Sequence, residues 1–271
     1  EILKNLGHAY HPTLRVIFCI LIIGFGVKAA LVPLHGWLPV AMVAPAPVSA
    51  LLHAVAVVKA GAFGVVRTVF DIYGRDFVGE LNLLGPLAVL AALTIIFGSL
   101  QAIAHTDLKK RLAYSTVSQV SYITLGAALI APFSTIGAIV HLIHQGIMKS
   151  TLFFCAGNIA EILGLHDITE MKGVARRMPL TVAIFTIAAL GMIGVPPLAG
   201  FVSKWYLGLG GLGAGQNWVV AVLVVSSLLN AAYFLPIIHT LWFAQPDQEW
   251  ITMRPSRFEA PWTLLLPPMF T

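Results

Sequence analysis

The chain of 271 residues is 58% hydrophobic and only 10% charged, with a mean hydropathy of +0.89. Soluble domains carry about a quarter charged residues, so this balance excludes a water-soluble enzyme and points to an integral membrane protein. The formal charge of +5 is not a nucleic-acid signal, because most of the cations sit in short loops between apolar runs.

The runs are about 20 residues long, which fits membrane-spanning helices and not barrel strands. The fold class is therefore an all-α polytopic membrane protein, with about seven complete spans and a partial eighth. In chain order, the first span is expected over 13–44, interrupted between Lys28 and Pro33, and the second over 47–70. The third and fourth are expected over 84–104 and 110–130, and the fifth over 134–163. The sixth, 180–208, is interrupted at Val195, Pro196 and Pro197. The seventh covers 217–244, and a partial eighth begins near Pro261. There is no cleavable signal peptide, and a chain opening on Glu1 and closing on PPMFT reads as a piece of a longer membrane domain. Cys19 and Cys155 both lie in apolar runs and are expected to be small buried hydrophobes, not a disulfide or a metal site.

Alternating spans collect Lys109, Lys110, Arg111, Lys172, Arg176, Arg177, Arg254 and Arg257 on one side. The positive-inside rule makes that side cytoplasmic. KAALVPLHGWLP in the first span and GVPPLAGFVSKW in the sixth each combine proline, glycine and one lysine. They lie an odd number of spans apart and so run in opposite senses. Paired broken helices of this kind mark inverted repeats in transporters.

Four lysines fall inside spans: Lys28, Lys59, Lys149 and Lys204. None of the in-span cations is arginine. Arginine keeps its charge under any physiological condition, whereas a lysine in low dielectric can release its proton. A mid-membrane lysine costs from ~3 kcal/mol upward, so each needs internal partners or water. Snorkelling to the headgroups is the competing explanation, and it is fairest for Lys204, about two turns from its span's end. In IVHLIHQGIMKSTLFF, His141, His144 and Lys149 fall within an arc of roughly 140° on one helix face, the pattern of a proton relay. His53 lies six residues before Lys59, on a different side of its helix. Ser49, Thr116, Ser118, Gln119, Ser121 and Thr124 either line such a path or act as helix–helix glue. Every acidic residue lies in a loop or near a span end, so the buried amines lack a counter-charge within this chain.

VKAALVPLHGWLPVAMVAPAPVSALLHAVAVVKAGAFGVVR resembles the antiporter-like membrane subunits of respiratory complex I, multisubunit Na⁺/H⁺ antiporters and membrane-bound hydrogenases. HTDLKKRLAYSTVSQVSYITLG, HLIHQGIMKSTLFFCAGNI and GVPPLAGFVSKW extend the resemblance over nearly the whole chain. It implies a fold of about fourteen helices with two inverted repeats. Residues 13–70 would then end the first repeat, 84–244 would form the second, and 259–271 would start a further helix. Lys28 would be the lysine of the first broken helix, paired with a glutamate upstream of Glu1. Lys59 with His53 would lead to the central axis, Lys149 with His141 and His144 would form the central relay, and Lys204 would mark the second break. Pro33, Pro196 and Pro197 would free carbonyls at the breaks.

The implied function is proton translocation within a redox-driven complex, of the NADH:quinone oxidoreductase or hydrogenase type. The partners would be other membrane subunits, including adjacent antiporter-like ones, in a bacterial or archaeal inner membrane. No cofactor is expected in this subunit, since it has no cysteine cluster, dinucleotide-binding glycine pattern or haem ligation signature. Membership of a Na⁺ or K⁺/H⁺ antiporter complex is the alternative, and a membrane scaffold or a small-solute carrier are more distant ones.

Overall fold

A computed structural model describes residues 11–51, 56–246 and 259–271. The described residues are helical with a single isolated β-bridge, between Asp107 and Asp167. The first span is α1 (His11–Ala29), a non-helical stretch, and the short α2 (Trp37–Val40) with a 3₁₀ turn, Ala41–Val43. The second comprises α3 (Ala46–Ser49) and α4 (Val57–Arg67), which runs on as a π-helix, Thr68–Tyr73. A short helix, α5 (Arg75–Glu80), occupies the connection that follows. Three long helices come next: α6 (Leu84–Ala104), α7 (Leu108–Leu129) and α8 (Pro132–Leu163). The sixth span is α9 (Pro179–Ile193) and α10 (Ala199–Gly213), the seventh α11 (Trp218–Trp242), and α12 (Trp262–Phe270) closes the chain.

Among the described residues, α1, α6 and α11 are long and apolar enough to cross a bilayer on composition alone. α7 is as long but carries Lys109, Lys110, Arg111 and a run of hydroxyl residues. Lys109 and Lys110 lie in its first turn and are not buried, whereas 19 of its 22 residues are, so Arg111 and the hydroxyls face protein instead of hydrocarbon. Conversely, α1 presents Val16, Ile17, Ile20 and Ile23 outward, as a surface facing lipid or other protein requires. Cys19 lies on that outward face, which corrects the expectation that both cysteines are buried; Cys155 is buried as expected.

Local chemistry sets the helix ends. The Asp107 carboxylate accepts from the Lys110 amide at 2.8 Å and caps α7. The left-handed Gly164 (φ 71°) ends α8. Both carboxylate oxygens of Glu259 reach back to α9, accepting from the Leu180 and Thr181 amides at 2.7 Å each. Glu259 thereby compensates the positive end of the first half of the broken helix.

The connections grouped by charge do meet on one face. The Leu108 amide donates to His166 O at 3.1 Å, the Ile168 amide to Thr106 O at 3.0 Å, and the Gly173 amide to Thr240 O at 2.9 Å. Lys109, Lys110, Arg111, Lys172, Arg176 and Arg177 therefore share one end of the bundle. Arg254 and Arg257 lie outside the described residues. The buried hydrophobes form two clusters, one around Leu112, Phe153 and Phe234, the other around Tyr73, Tyr122 and Leu207. α7 contributes to both, with Ile123 and Ala127 in the first and Tyr122 and Leu125 in the second.

Candidate functional site

The second break shows why the sequence places a lysine there. In an unbroken helix the carbonyls of Met192 and Ile193 would accept from the amides four residues on, which are Pro196 and Pro197. Proline has no N–H, so both carbonyls lose their partners at the negative end of α9. The Lys204 ammonium replaces them, donating to Met192 O at 3.0 Å and Ile193 O at 2.8 Å. A third bond goes to Ser227 Oγ at 3.2 Å, and Asn230 Nδ2 shares Met192 O at 3.3 Å. Lys204 thus turns inward to the break, which rules out snorkelling, and is only 8% exposed. The two halves touch without side chains between them: a Cβ on Gly200 would lie 1.8 Å from Gly191 O, so no larger residue fits there.

At the first break the corresponding donor is an indole. Trp37 Nε1 donates to Val27 O at 2.7 Å, and the Val32 amide is held by Thr94 Oγ1 of α6 at 3.2 Å. Gly61 of α4 lies against the backbone of Lys28 and Ala29, where a Cβ would come within 2.4 Å of the Ala29 nitrogen. Lys28 itself is exposed, which corrects the expectation of four buried lysines. The reason is helical phase. The buried stripe of α1 runs Leu14, Phe18, Ile22, Gly26, and Lys28 stands about 200° from Gly26.

The other two in-span lysines are buried, Lys59 at 8% exposure and Lys149 at 0%. Lys59 Nζ donates to Leu142 O on α8, beside His141. His141 is completely buried. Its Nδ1 faces Ser203 Oγ at 2.9 Å and its Nε2 faces Gln119 O at 3.2 Å. A carbonyl only accepts, so Nε2 carries a hydrogen. Ser203 has one hydroxyl hydrogen and two acceptors for it, His141 Nδ1 and Gly200 O at 3.1 Å. Donation to Nδ1 suits a neutral imidazole; donation to Gly200 O suits an imidazolium. Ser203 adjoins Lys204, and the Tyr122 ring lies beneath both His141 (5.1 Å) and the Lys204 amine (5.6 Å). The structure therefore brings Lys59, His141 and Lys204 into one cluster across α4, α8 and α10.

Lys149 lies two turns along α8 from His141. Its amine donates to Ser115 Oγ and to Leu112 O (3.2 Å) of α7 and sits 5.7 Å above the Phe234 ring. Gln145 stands one turn from both His141 and Lys149. The amides of Gln119 and Gln145 are buried, with no hydrogen-bond partner among the described residues. Buried amides are almost always satisfied, by water where protein does not reach. His144 is peripheral, donating from Nδ1 to Ala199 O at 2.9 Å. His53 lies outside the described residues. Among the described residues no carboxylate pairs with Lys59, Lys149 or Lys204; the one ion pair, Arg67 with Asp71, is on an exposed helix surface.

The candidate path residues divide by their contacts. Gln119 touches His141 through its carbonyl, and Ser115, which was not among the expected residues, holds Lys149. Thr116 and Ser121 bond back to their own helix, at Leu112 O and Val117 O. Ser118 joins Ser99 of α6 at 2.9 Å and acts as interhelical glue. Ser49 bonds to Ala44 O, and the Thr124 hydroxyl has no partner among the described residues. The polar face of α11, with Ser226, Asn230 and Tyr233 at helical spacing, is absent from the expected site. Its signal was the spacing, i, i+4, i+7, in SSLLNAAYF.

A family model described as NADH:quinone oxidoreductase/Mrp antiporter, transmembrane, matches residues 1–230. The chain is 44% identical over 229 residues to NADH-quinone oxidoreductase subunit N of Desulforudis audaxviator, which covers 84% of this chain and 45% of that one. It is 35% identical over 233 residues to a Na⁺/H⁺ antiporter subunit of Bacillus subtilis, covering 84% and 46%. A chain of the Mrp complex from Dietzia sp. DQ12-45-1b superposes with a TM-score of 0.79 at 30% identity, over 91% of this chain and 47% of that one. The chain thus spans about half the length of these relatives.

Proposed function

Because the chain belongs to the NADH:quinone oxidoreductase/Mrp antiporter transmembrane family, we propose that it forms part of a proton-translocating membrane subunit. The observation that carries this reading is the cluster of Lys59, His141 and Lys204 in the membrane interior. Its amines rest on carbonyls and a hydroxyl, without a carboxylate among the described residues. Fixed structural charges would be paired with opposite charges. Amines held by neutral acceptors can instead give up a proton and retain their packing.

In this mechanism a proton passes from Lys59 to His141, whose Ser203 contact adapts to either protonation state, and on to Lys204. Water at the Gln119 and Gln145 amides would join Lys149 to His141, and Lys149 is the group that resupplies this line with protons. An open, mostly apolar groove of about 460 Å³ runs from Lys204 and Ser227 to Leu212 and Val220, beside the turn opposite the Lys109–Arg111 end. Lys28, at the first break, would take its counter-charge from a segment outside this chain. Moving a proton against the membrane potential takes ~2.3 kcal/mol per 100 mV. A pKa change of one unit supplies about 1.4 kcal/mol, so the driver needs to shift a buried lysine by a few units. The drive would come from a redox reaction in neighbouring subunits of a bacterial or archaeal inner-membrane complex.

Exchange of Na⁺ or K⁺ for H⁺ is the second reading, favoured by the likeness to the Bacillus subtilis antiporter protein. Proton uptake that needs a Na⁺ or K⁺ gradient and no electron flow would select it. The test of the proton path is His141→Leu in the full-length chain within its membrane complex, reconstituted in liposomes. Translocation is expected to fall at least tenfold with the complex intact. Wild-type translocation from that variant would refute the path.

A further inference from the structure

The route above gives no role to Asn230 and Tyr233 of α11, two buried polar residues bonded to each other. Tyr233 and Asn230 are 1% and 0% exposed. The Tyr233 hydroxyl donates to Asn230 Oδ1 at 2.7 Å. Asn230 Nδ2 in turn donates to Met192 O at 3.3 Å, the carbonyl that also accepts from the Lys204 amine at 3.0 Å. The same hydroxyl lies beside Ser115 and Gln119, and Ser115 holds Lys149. One residue pair therefore stands between the two lysines, on a helix that neither lysine belongs to.

The link is made sensitive by what Met192 O lacks. Pro196 offers it no backbone donor, so the carbonyl's two lone pairs are divided between Lys204 and Asn230. When Lys204 is an ammonium it holds one of them strongly, since bonds to charged donors are about twice as strong as neutral ones. When the amine is neutral or withdrawn, Asn230 keeps the carbonyl alone. The amide is planar, so any turn of Nδ2 toward Met192 O also turns Oδ1, the acceptor of the Tyr233 hydroxyl. The orientation of that hydroxyl is what Ser115 and Gln119 meet next to Lys149.

We propose that Asn230 and Tyr233 are positioning residues that couple the protonation of Lys204 to that of Lys149, through a connection that bypasses His141. The proposal rests on the proton-translocation reading and adds to it a way for the two lysines to load and release in order. No proton needs to cross the amide, because what passes along α11 is a preference for one hydrogen-bond arrangement.

Tyr233→Phe is the cleanest test. It removes one hydroxyl and keeps the 4.7 Å ring contact with Phe234, together with the backbone carbonyl that accepts from Arg111. Asn230→Leu removes the shared bond to Met192 O. In the full-length complex in liposomes, each variant is expected to slow translocation about fivefold to tenfold, the worth of one buried hydrogen bond. Assembly of Tyr233→Phe should match the wild type, with melting lower by a few degrees at most because Asn230 Oδ1 loses its donor, and the double variant should be no slower than the worse single one, as for two members of one link. Undiminished translocation in Tyr233→Phe, or losses that multiply in the double variant, would overturn the coupling. The two readings fail separately: Lys149→Met silent would remove the proton path itself. Lys149→Met inactive with Tyr233→Phe fully active would remove the α11 link alone.

Discussion

Replacing Lys149 by methionine is expected to abolish proton translocation and leave the protein at least as stable as before. The two effects separate because of what surrounds the amine. Lys149 is fully buried and its acceptors have other partners. Leu112 O already accepts from Ser115 Oγ and Thr116 Oγ1, each at 2.9 Å. Nothing polar is stranded when the amine goes. Methionine has nearly the same length, and its sulfur suits the face of Phe234. Removing an ammonium from mid-membrane also removes a penalty of about 3 kcal/mol. Loss of a proton-transfer group typically costs about 10² to 10⁴ in rate, so translocation should drop at least a hundredfold. The measurement pairs liposome acidification with a thermal midpoint of the assembled complex. A destabilised, still-active protein would mean that Lys149 is a packing residue.

Lys204→Met should be as inactive but should weaken the fold. Here the amine supplies donors that Pro196 and Pro197 cannot. Without it Met192 O retains Asn230, but the one side-chain donor found on Ile193 O is Lys204 itself. A buried carbonyl left unpaired costs about 1–3 kcal/mol, and α9 and α10 lose the side chain that ties them across the break. The complex should therefore melt several degrees lower than the Lys149→Met complex. Equal melting of the two variants would show that the broken helix does not depend on its lysine. The contrast between the two predictions follows from proline placement, since the acceptors of Lys149 lie on α7, which no proline interrupts.

Much of this site was legible from residue type. A lysine and a proline inside an apolar run each carry a large penalty, so their coincidence at Lys28–Pro33 and at Pro196–Lys204 marked both breaks. The expected limits of α7 and α8, read from hydropathy, lie within two residues of those observed, because the polar connections on either side are short. Azimuth was less legible. Hydropathy places Lys28 at the right depth but does not say which side of α1 it faces, and the buried stripe through Leu14 and Gly26 turns it outward. The hydroxyls of α7 could not be sorted from sequence, because Thr116 and Ser118 look alike until a neighbouring helix is present. The face of α11 went unseen for a related reason. Serine, asparagine and tyrosine are unremarkable in a span, and only the proline-stripped carbonyl of Met192 gives Asn230 its importance.

The central claim is that these buried amines act by releasing protons and not by supplying fixed charge. Lysine-to-arginine exchange at position 149 separates the two, because arginine keeps the charge and cannot give up its proton. Initial rates of proton translocation would be compared for wild type, Lys149→Met and Lys149→Arg, in the full-length chain within its complex at matched assembly. Proton release as the mechanism predicts that Lys149→Arg is as inactive as Lys149→Met. Substantial translocation by the arginine variant would contradict it, since a permanent charge would then be sufficient.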